Sequence, residues 1–291
     1  MRLASRTAEA GFAPFSLFAP AKVNLALHVL GRRADGYHDL DSIVAFADVG
    51  DSLHFAPSQH FTVTADGPFA AALPAAPGNI IARAWEAAQA IAARRGLALA
   101  PAAVHLTKNL PVASGIGGGS ANAAAALKGF LSLAGLTSLD QEAMSAALAI
   151  GADVPVCLTG KPCRMQGVGE RITPLAGFTA RWAILVNPLV EVSTPAVFGH
   201  LGLEKGQAYL SAIADAADPC AWRNDLAAPA IALAPVIGKV LDKLASTPGV
   251  SRAFMSGSGA TCVALCGPDT PVPDLDPSWW AVKTVLGAGA Q

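Results

Sequence analysis

Apolar and polar positions alternate through the first third of the chain, and the alternation predicts strands. Phe15 to His28 reads as one strand, Ser42 to Phe46 and Asp51 to Phe55 as two more, and His60 to Thr64 as another. Gly31-Arg32-Arg33-Ala34-Asp35-Gly36 punctuates the first two as a turn. The period then changes. Asn79 caps a helical pattern that runs through Trp85 to about Arg95 and stops at Gly96. A short strand over 103–107 leads into a glycine-rich run, and a helix starts near Ser120. Thr137 or Ser138 opens the next helix, with Asp140 and Glu142 in its first turn and Gly151 past its end.

Beyond residue 160 the pattern is mixed. Arg181–Val186 predicts a strand, and Thr194-Pro195 opens a short helix with proline at its favoured first position. A helix is predicted near 207–216, and a longer one from Asp225 to about Leu244 is broken at Pro229 and Pro235. Arg252–Met255 and Thr261–Cys266 are strands around a second glycine turn, Ser256-Gly257-Ser258-Gly259-Ala260, and Trp280–Leu286 is the last strand. Strands with one loop-led helix followed by a smaller mixed unit predict an α+β fold of two lobes, divided between 160 and 190.

The glycine run changes this from a fold to a site. Leu110 to Asn122 contains Gly115, Gly117, Gly118 and Gly119, and the alanine-rich helix follows at once. A bare loop at a helix N-terminus offers backbone N–H groups and the positive end of the helix dipole to a phosphate, although the same run also suits a plain flexible turn. Other phosphate and nucleophile signatures are absent. There is no GxxxxGK[ST], the dinucleotide spacing ends in Asn122 without a later acidic partner, and neither Ser120 nor Ser258 sits in GxSxG.

Bulk properties narrow the choice. The chain has 291 residues, 53% hydrophobic and 14% charged, enough for a large core. A net charge of -1 gives no field for nucleic acid or an anionic membrane, so phosphate recognition has to be local. No run of about 18 apolar residues predicts a membrane span. Arg2 and Arg6 precede no apolar core of a signal peptide, so a ragged extension is expected there. Cys157, Cys163, Cys220, Cys262 and Cys266 form no CxxC pair and predict reduced, buried thiols in a cytoplasmic protein.

Three further positions carry chemistry. Lys22 interrupts an apolar strand, where a lysine ordinarily faces water. Asp153 follows a helix end in Gly151-Ala152-Asp153-Val154-Pro155, where a carboxylate is often a cap. Tyr37 and His38 follow the Asp35-Gly36 turn, either as a surface pair or as a grip on a planar ligand.

Taken together, Pro20-Ala21-Lys22-Val23-Asn24-Leu25, Arg33-Ala34-Asp35-Gly36-Tyr37-His38, the glycine loop, Gly151 to Pro155 and Gly257-Ser258-Gly259-Ala260 resemble the motifs of the GHMP kinases. The Asp-Gly-Tyr-His and Gly-Ala-Asp-Val-Pro elements most resemble the branch that acts on a cytidine-diphosphate-linked methylerythritol. The resemblance runs in order from about Phe18 to Leu265. It implies a ribosomal-protein-S5-like N-terminal lobe over 1–165 and a smaller ferredoxin-like lobe over 166–291. It also implies ATP and Mg²⁺ as cofactors, and phosphorylation of the 2-hydroxyl of that acceptor.

Residue by residue, it implies Asp153 as general base with Lys22 beside it. Pro111, Val112, Ala113, Ser114, Gly115, Ile116, Gly117, Gly118, Gly119, Ser120 and Ala121 would wrap the ATP phosphates, with Asn79 and Lys108 on the adenine side. Asn24 would orient the acceptor, and Tyr37 would stack on its cytosine. His38 would bond the cytosine edge while Phe198 covers the other face, and Thr194, Ser258 and Gly259 would back the acceptor. Ser114 replaces a usual glycine and Ala121 a usual serine, so a magnesium-binding hydroxyl at 121 is missing and the metal ligands stay unassigned. Pro271, Pro273 and Pro277 should shorten or remove a helix of the second lobe. The resemblance favours a monomer or weak homodimer with a small-molecule substrate and no nucleic-acid or membrane partner. A GHMP kinase for another alcohol would lack the cytosine grip, and a silent binding protein on this fold would be signalled by loss of Lys22 or Asp153.

Overall fold

In the computed structural model, residues 11–73, 79–216 and 218–288 are described; the extension expected around Arg2 and Arg6 lies outside them. β1 (Phe15–Arg32) and β2 (His38–Pro57) form a long antiparallel ribbon. β3 (Thr62–Asp66) follows, then α1 (Ile80–Arg94) and β4 (Ala102–Thr107). The next elements are α2 (Gly118–Leu133), α3 (Gln141–Ile150), α4 (Val154–Thr159), β5 (Cys163–Gly167) and β6 (Arg171–Pro174). The remainder comprises β7 (Arg181–Asn187), α5 (Thr194–Gly199), α6 (Ala227–Leu233), α7 (Val236–Ala245), β8 (Val250–Met255), β9 (Cys262–Cys266) and β10 (Trp280–Leu286).

β2 organises the first lobe. One edge pairs with β1, and the other pairs in succession with β5 over Leu40–Val44, with β10 at Ala47 and with β4 over Ser52–Pro57. The expected break between Phe46 and Asp51 does not form, because pairing with β1 continues past it to Phe55. Helices α1 to α4 cover this sheet, and Phe55, Phe61, Trp85 and Phe130 interlock in their core as stacked and edge-to-face rings. β5 and β6 extend the same sheet. The expected division at 165/166 therefore falls inside β5, and residues through Pro174 remain with the first lobe.

The second lobe is a four-stranded antiparallel sheet in the order β10-β7-β9-β8, with α6 and α7 packed on it. That order is ferredoxin-like, but no helix links β9 to β10. Pro271, Pro273 and Pro277 fall in that connection, which is irregular, as their lack of donors requires.

Two expectations for helices change. Residues 207–216 form no helix. Their backbone groups are spent on β1 instead, with Arg32 N–H on Gln207 O, Tyr209 N–H on Leu30 O and Leu210 N–H on Val29 O. Pro229 does not break α6, since it lies in the first turn, where its missing N–H is an orphan in any case; the break comes at Ala234-Pro235. Cys157, Cys163 and Cys262 are buried free thiols, and Cys266 is a half-buried one. Burial pushes the Cys163 thiol up to about 11 and the Cys262 thiol up to about 12. Among the described residues no helix is long and apolar enough to cross a membrane.

Candidate active site

A cavity of about 1120 Å³ opens between the lobes. Its floor is the junction of β1, the glycine loop and α4. Lys22 projects from β1 and is almost wholly buried, with Nζ 2.8 Å from Asp153 Oδ2 and 2.9 Å from Asn24 Oδ1. Asp153 stands at the N-cap position of α4, yet its side chain makes no capping bond. The carboxylate is turned to Lys22 and 37% exposed to the cavity, so it remains accessible to an incoming hydroxyl. Asn24 is fixed in turn by Nδ2 donating to Ser42 Oγ at 2.7 Å, while Ser42 donates to the Ala26 carbonyl at 2.6 Å. Lys22 thus faces a protein interior through its stem and a paired carboxylate through its charge.

The glycine loop closes over this pair. Gly117 caps α2 in the left-handed region with φ +63°, and a Cβ there would lie 3.0 Å from the Lys22 side chain. Only glycine meets both conditions. Gly115 has φ +76°, and a Cβ on it would come within 2.6 Å of the carbonyls of Ser256 and Gly259. The second glycine turn therefore packs backbone-to-backbone behind the first. Ser256 Oγ donates to Gly115 O at 3.0 Å and accepts the Asn24 N–H at 3.0 Å. Thr261 Oγ1 donates to Ser114 O at 2.6 Å and accepts Asn187 Nδ2 at 2.8 Å. The Ser114 hydroxyl closes its own turn on Pro111 O at 2.7 Å.

One end of the cavity is lined by Leu73, Asn79, Ile81, Leu106 and Lys108. Asn79 Oδ1 caps α1 through Ile81 N–H at 2.9 Å, which leaves its amide N–H groups free to serve a ligand. Lys108 forms a buried ion pair with Asp51, Nζ to Oδ2 2.6 Å, and Asp51 also accepts the N–H groups of Asn109 and Leu110 at 2.7 and 2.8 Å. Burial lowers the Lys108 pKa despite that partner. The Lys108–Asp51 pair braces the entry to the glycine loop.

The other end holds Tyr37, His38, Thr194, Phe198 and Ser258. Tyr37 is exposed. Phe198 is stacked on His38, with ring centroids 4.6 Å apart and 27° between planes. Burial, with Arg32 adding to it, lowers the His38 pKa. Thr194 Oγ1 and Ser258 Oγ are hydrogen-bonded at 2.7 Å. Pro111, Val112, Ala113, Ser114, Gly115, Gly117, Gly118, Gly119 and Ser120 all reach the cavity wall. Ile116, Ala121 and Gly259 do not: Ile116 and Ala121 are buried in the apolar cores, and Gly259 lies behind Gly115. Sequence reasoning passed over Ser42, Asn187, Ser256 and Thr261. Ser256 opens the second glycine turn and Thr261 follows it, which was their only signal.

A helix N-terminus fed by a glycine loop, with a Lys–Asp pair beneath it in one interlobe cavity, is the machinery of a small-molecule kinase. The chain matches the GHMP kinases N terminal domain over residues 79–161 and the GHMP kinases C terminal domain over 210–275. It is 46% identical to the 4-diphosphocytidyl-2-C-methyl-D-erythritol kinase of Dinoroseobacter shibae, covering 95% of this chain and 96% of that one. It is 44% identical to the enzyme of the same name from Paramagnetospirillum magneticum, covering 94% and 98%. A crystal structure of 4-(cytidine 5'-diphospho)-2C-methyl-D-erythritol kinase superimposes with a TM-score of 0.76 at 28% identity, over 94% of this chain and 100% of that one. Homoserine kinase from Cytophaga hutchinsonii shares the fold, with a TM-score of 0.67 at 16% identity over 94% of each chain. The chain belongs to the 4-diphosphocytidyl-2-C-methyl-D-erythritol kinase family of the GHMP kinases.

Proposed function

We propose that this protein transfers the γ-phosphoryl group of ATP to the 2-hydroxyl of 4-diphosphocytidyl-2-C-methyl-D-erythritol, a step of the non-mevalonate route to isoprenoid precursors. The observation that carries the chemistry is the Lys22–Asp153 contact at 2.8 Å, facing the same cavity as the glycine loop. The acceptor oxygen attacks phosphorus, the bond to the ADP oxygen breaks, and Asp153 takes the hydroxyl proton. Lys22 offsets negative charge developing beside the acceptor, and Asn24 orients it. The N–H groups of the loop and of the first turn of α2 bind the ATP phosphates. The purine occupies the Leu73–Leu106 end, and cytosine enters between Tyr37 and the His38–Phe198 pair.

Mg²⁺ fits this donor set as an ion carried in with ATP. Ser120 Oγ and Asp153 are oxygen donors on the cavity wall that would serve it, and among the described residues no cluster of three His, Cys, Asp or Glu side chains exists to hold a metal alone. When bound, the ion neutralises phosphate charge. The free thiols suit the cytoplasm, and the small net charge suits neither a nucleic-acid nor a membrane partner.

An ADP-release assay with ATP, Mg²⁺ and the cytidyl-linked methylerythritol, beside homoserine, mevalonate and galactose, tests the reading. Turnover with the cytidyl compound alone is expected. Turnover with another alcohol instead would keep the kinase and discard the cytosine grip.

A further inference from the structure

Five charged side chains line the cavity: Lys22, Arg32, Lys108, Asp153 and Glu191. Lys22 is neutralised by Asp153, and Lys108 by Asp51. Glu191 is exposed on the segment between β7 and α5. Arg32 is different. It is half-buried at the end of β1, directly across the ribbon from His38, and among the described residues it has no carboxylate partner. Two main-chain carbonyls hold it instead, with Nε donating to Gly36 O at 3.3 Å and Nη1 to Leu203 O at 3.0 Å. These bonds fix the guanidinium without cancelling its charge, and leave its remaining N–H groups for a ligand.

A second cation stands beside it. Lys205 lies over the same turn, such that a Cβ on Gly36 would be 3.4 Å from its Cε and 3.8 Å from its Nζ. Lys205 also has no ion pair among the described residues. Its segment is tied to β1 by Gly206 N–H on Arg32 O at 2.7 Å and Arg32 N–H on Gln207 O at 2.8 Å. A positioned, uncompensated guanidinium with an ammonium beside it, next to the aromatic groups of the acceptor end, is a site for a dianionic phosphate ester.

We propose that Arg32, assisted by Lys205, holds the diphosphate of the acceptor and so distinguishes a nucleoside diphosphate conjugate from the bare nucleoside. This assignment rests on the cytidyl acceptor named above.

The test is equilibrium binding of cytidine and CDP to the wild type, Arg32→Gln and Lys205→Gln. The wild type should bind CDP more tightly than cytidine. Arg32→Gln should shrink that ratio about tenfold or more, and Lys205→Gln by less, while cytidine affinity stays within about twofold. A scaffold role for Arg32 would weaken cytidine and CDP alike, and that result overturns the proposal, as does an unchanged ratio. Should Arg32→Gln fail to fold, the wild type decides the matter. Its CDP-to-cytidine ratio must fall as ionic strength rises from about 0.05 M to about 0.5 M, and a flat ratio refutes the site. Acceptor turnover by the wild type separates the two levels. Turnover with an unchanged ratio removes Arg32 alone, whereas no turnover and no binding of either ligand removes the cytidyl reading and this site with it.

Discussion

Thr261 reaches the carbonyl of Ser114 twice, through its backbone N–H at 3.1 Å and its hydroxyl at 2.6 Å. The peptide group is planar and trans, so a carbonyl held from one side sends the next N–H to the other. Thr261 thereby aims the Gly115 N–H away from the second lobe. Ser256 does the same one residue on, since its hydroxyl takes the Gly115 carbonyl and so orients the Ile116 N–H. A loop of glycines, which would otherwise sample many conformations, is held by its carbonyls from behind. The shape of the loop proposed to bind phosphate is thus set in part by the second lobe.

Thr261→Val tests this clamp. It keeps the backbone donor and removes the hydroxyl, and it leaves Asn187 Nδ2 with only its longer bond to the Ser114 carbonyl at 3.5 Å. The KM for ATP should rise about five- to tenfold, the effect of one hydrogen bond, with the acceptor KM unchanged. Steady-state kinetics in both substrates read it, and an unaltered ATP KM would mean that the loop holds its shape without the hydroxyl.

Asp153→Asn tests the base. The amide keeps the size of the carboxylate but has no comparable basicity. kcat should drop by about two orders of magnitude or more, while a fluorescent ATP analogue still binds. Turnover within about tenfold of wild type would remove Asp153 from that role.

The strands and the glycine loop were legible because they rest on local signals: alternation, Gly runs and a cap such as Asn79, which does cap its helix. α3 starts later than the expected Thr137 or Ser138; its cap is Asp140, which accepts the Ala143 N–H. What was not legible depends on partners far away in sequence. Alanine-rich residues 207–216 carry a helical pattern, but β1 offers their backbone a ladder that local propensity does not anticipate. Lys22 and Asp153 are 131 residues apart, and only the fold makes them a pair. Thr261 and Asn187 look like ordinary strand-end residues until the glycine loop is brought beside them.

Asp51 carries the largest stability prediction. It is fully buried and accepts three donors, Lys108 Nζ and the N–H groups of Asn109 and Leu110. Asp51→Asn leaves a buried ammonium without its counter-charge, which should cost about 3–5 kcal/mol in urea unfolding. Adding Lys108→Met should restore part of that loss. A cost below about 1 kcal/mol for the single variant would show that Lys108 finds another partner or is already neutral.

His28 sets a pH dependence. It is 1% exposed, its Nδ1 lies 3.2 Å from the Ser211 carbonyl, and its Nε2 has no partner among the described residues. Burial lowers its pKa. Arg223 adds to this, while the Ser211 carbonyl, Asp225 and Asp41 oppose it without reversing it. In the unfolded chain a histidine titrates near about 6.5. As pH falls below that value, the unfolded state takes up a proton that folded His28 refuses, so the unfolded state is favoured and stability declines. Stability therefore rises with pH through this window and levels off above about 7.5. His38, also lowered by burial, contributes in the same direction. Asp41 does not add a slope here. Burial pushes its carboxyl up, but Arg164 at 2.7 and 2.8 Å and the Ile213 N–H outweigh that and hold it below its ordinary value, so its contribution is lost only in stronger acid. Urea unfolding from about pH 7.5 to about pH 5.5 should show the decline in the wild type, and His28→Leu should flatten it by up to about one proton's worth of slope. If His28→Leu keeps the full wild-type slope, the proton is taken up elsewhere, and His38→Ala under the same conditions would show whether the acceptor end is the source.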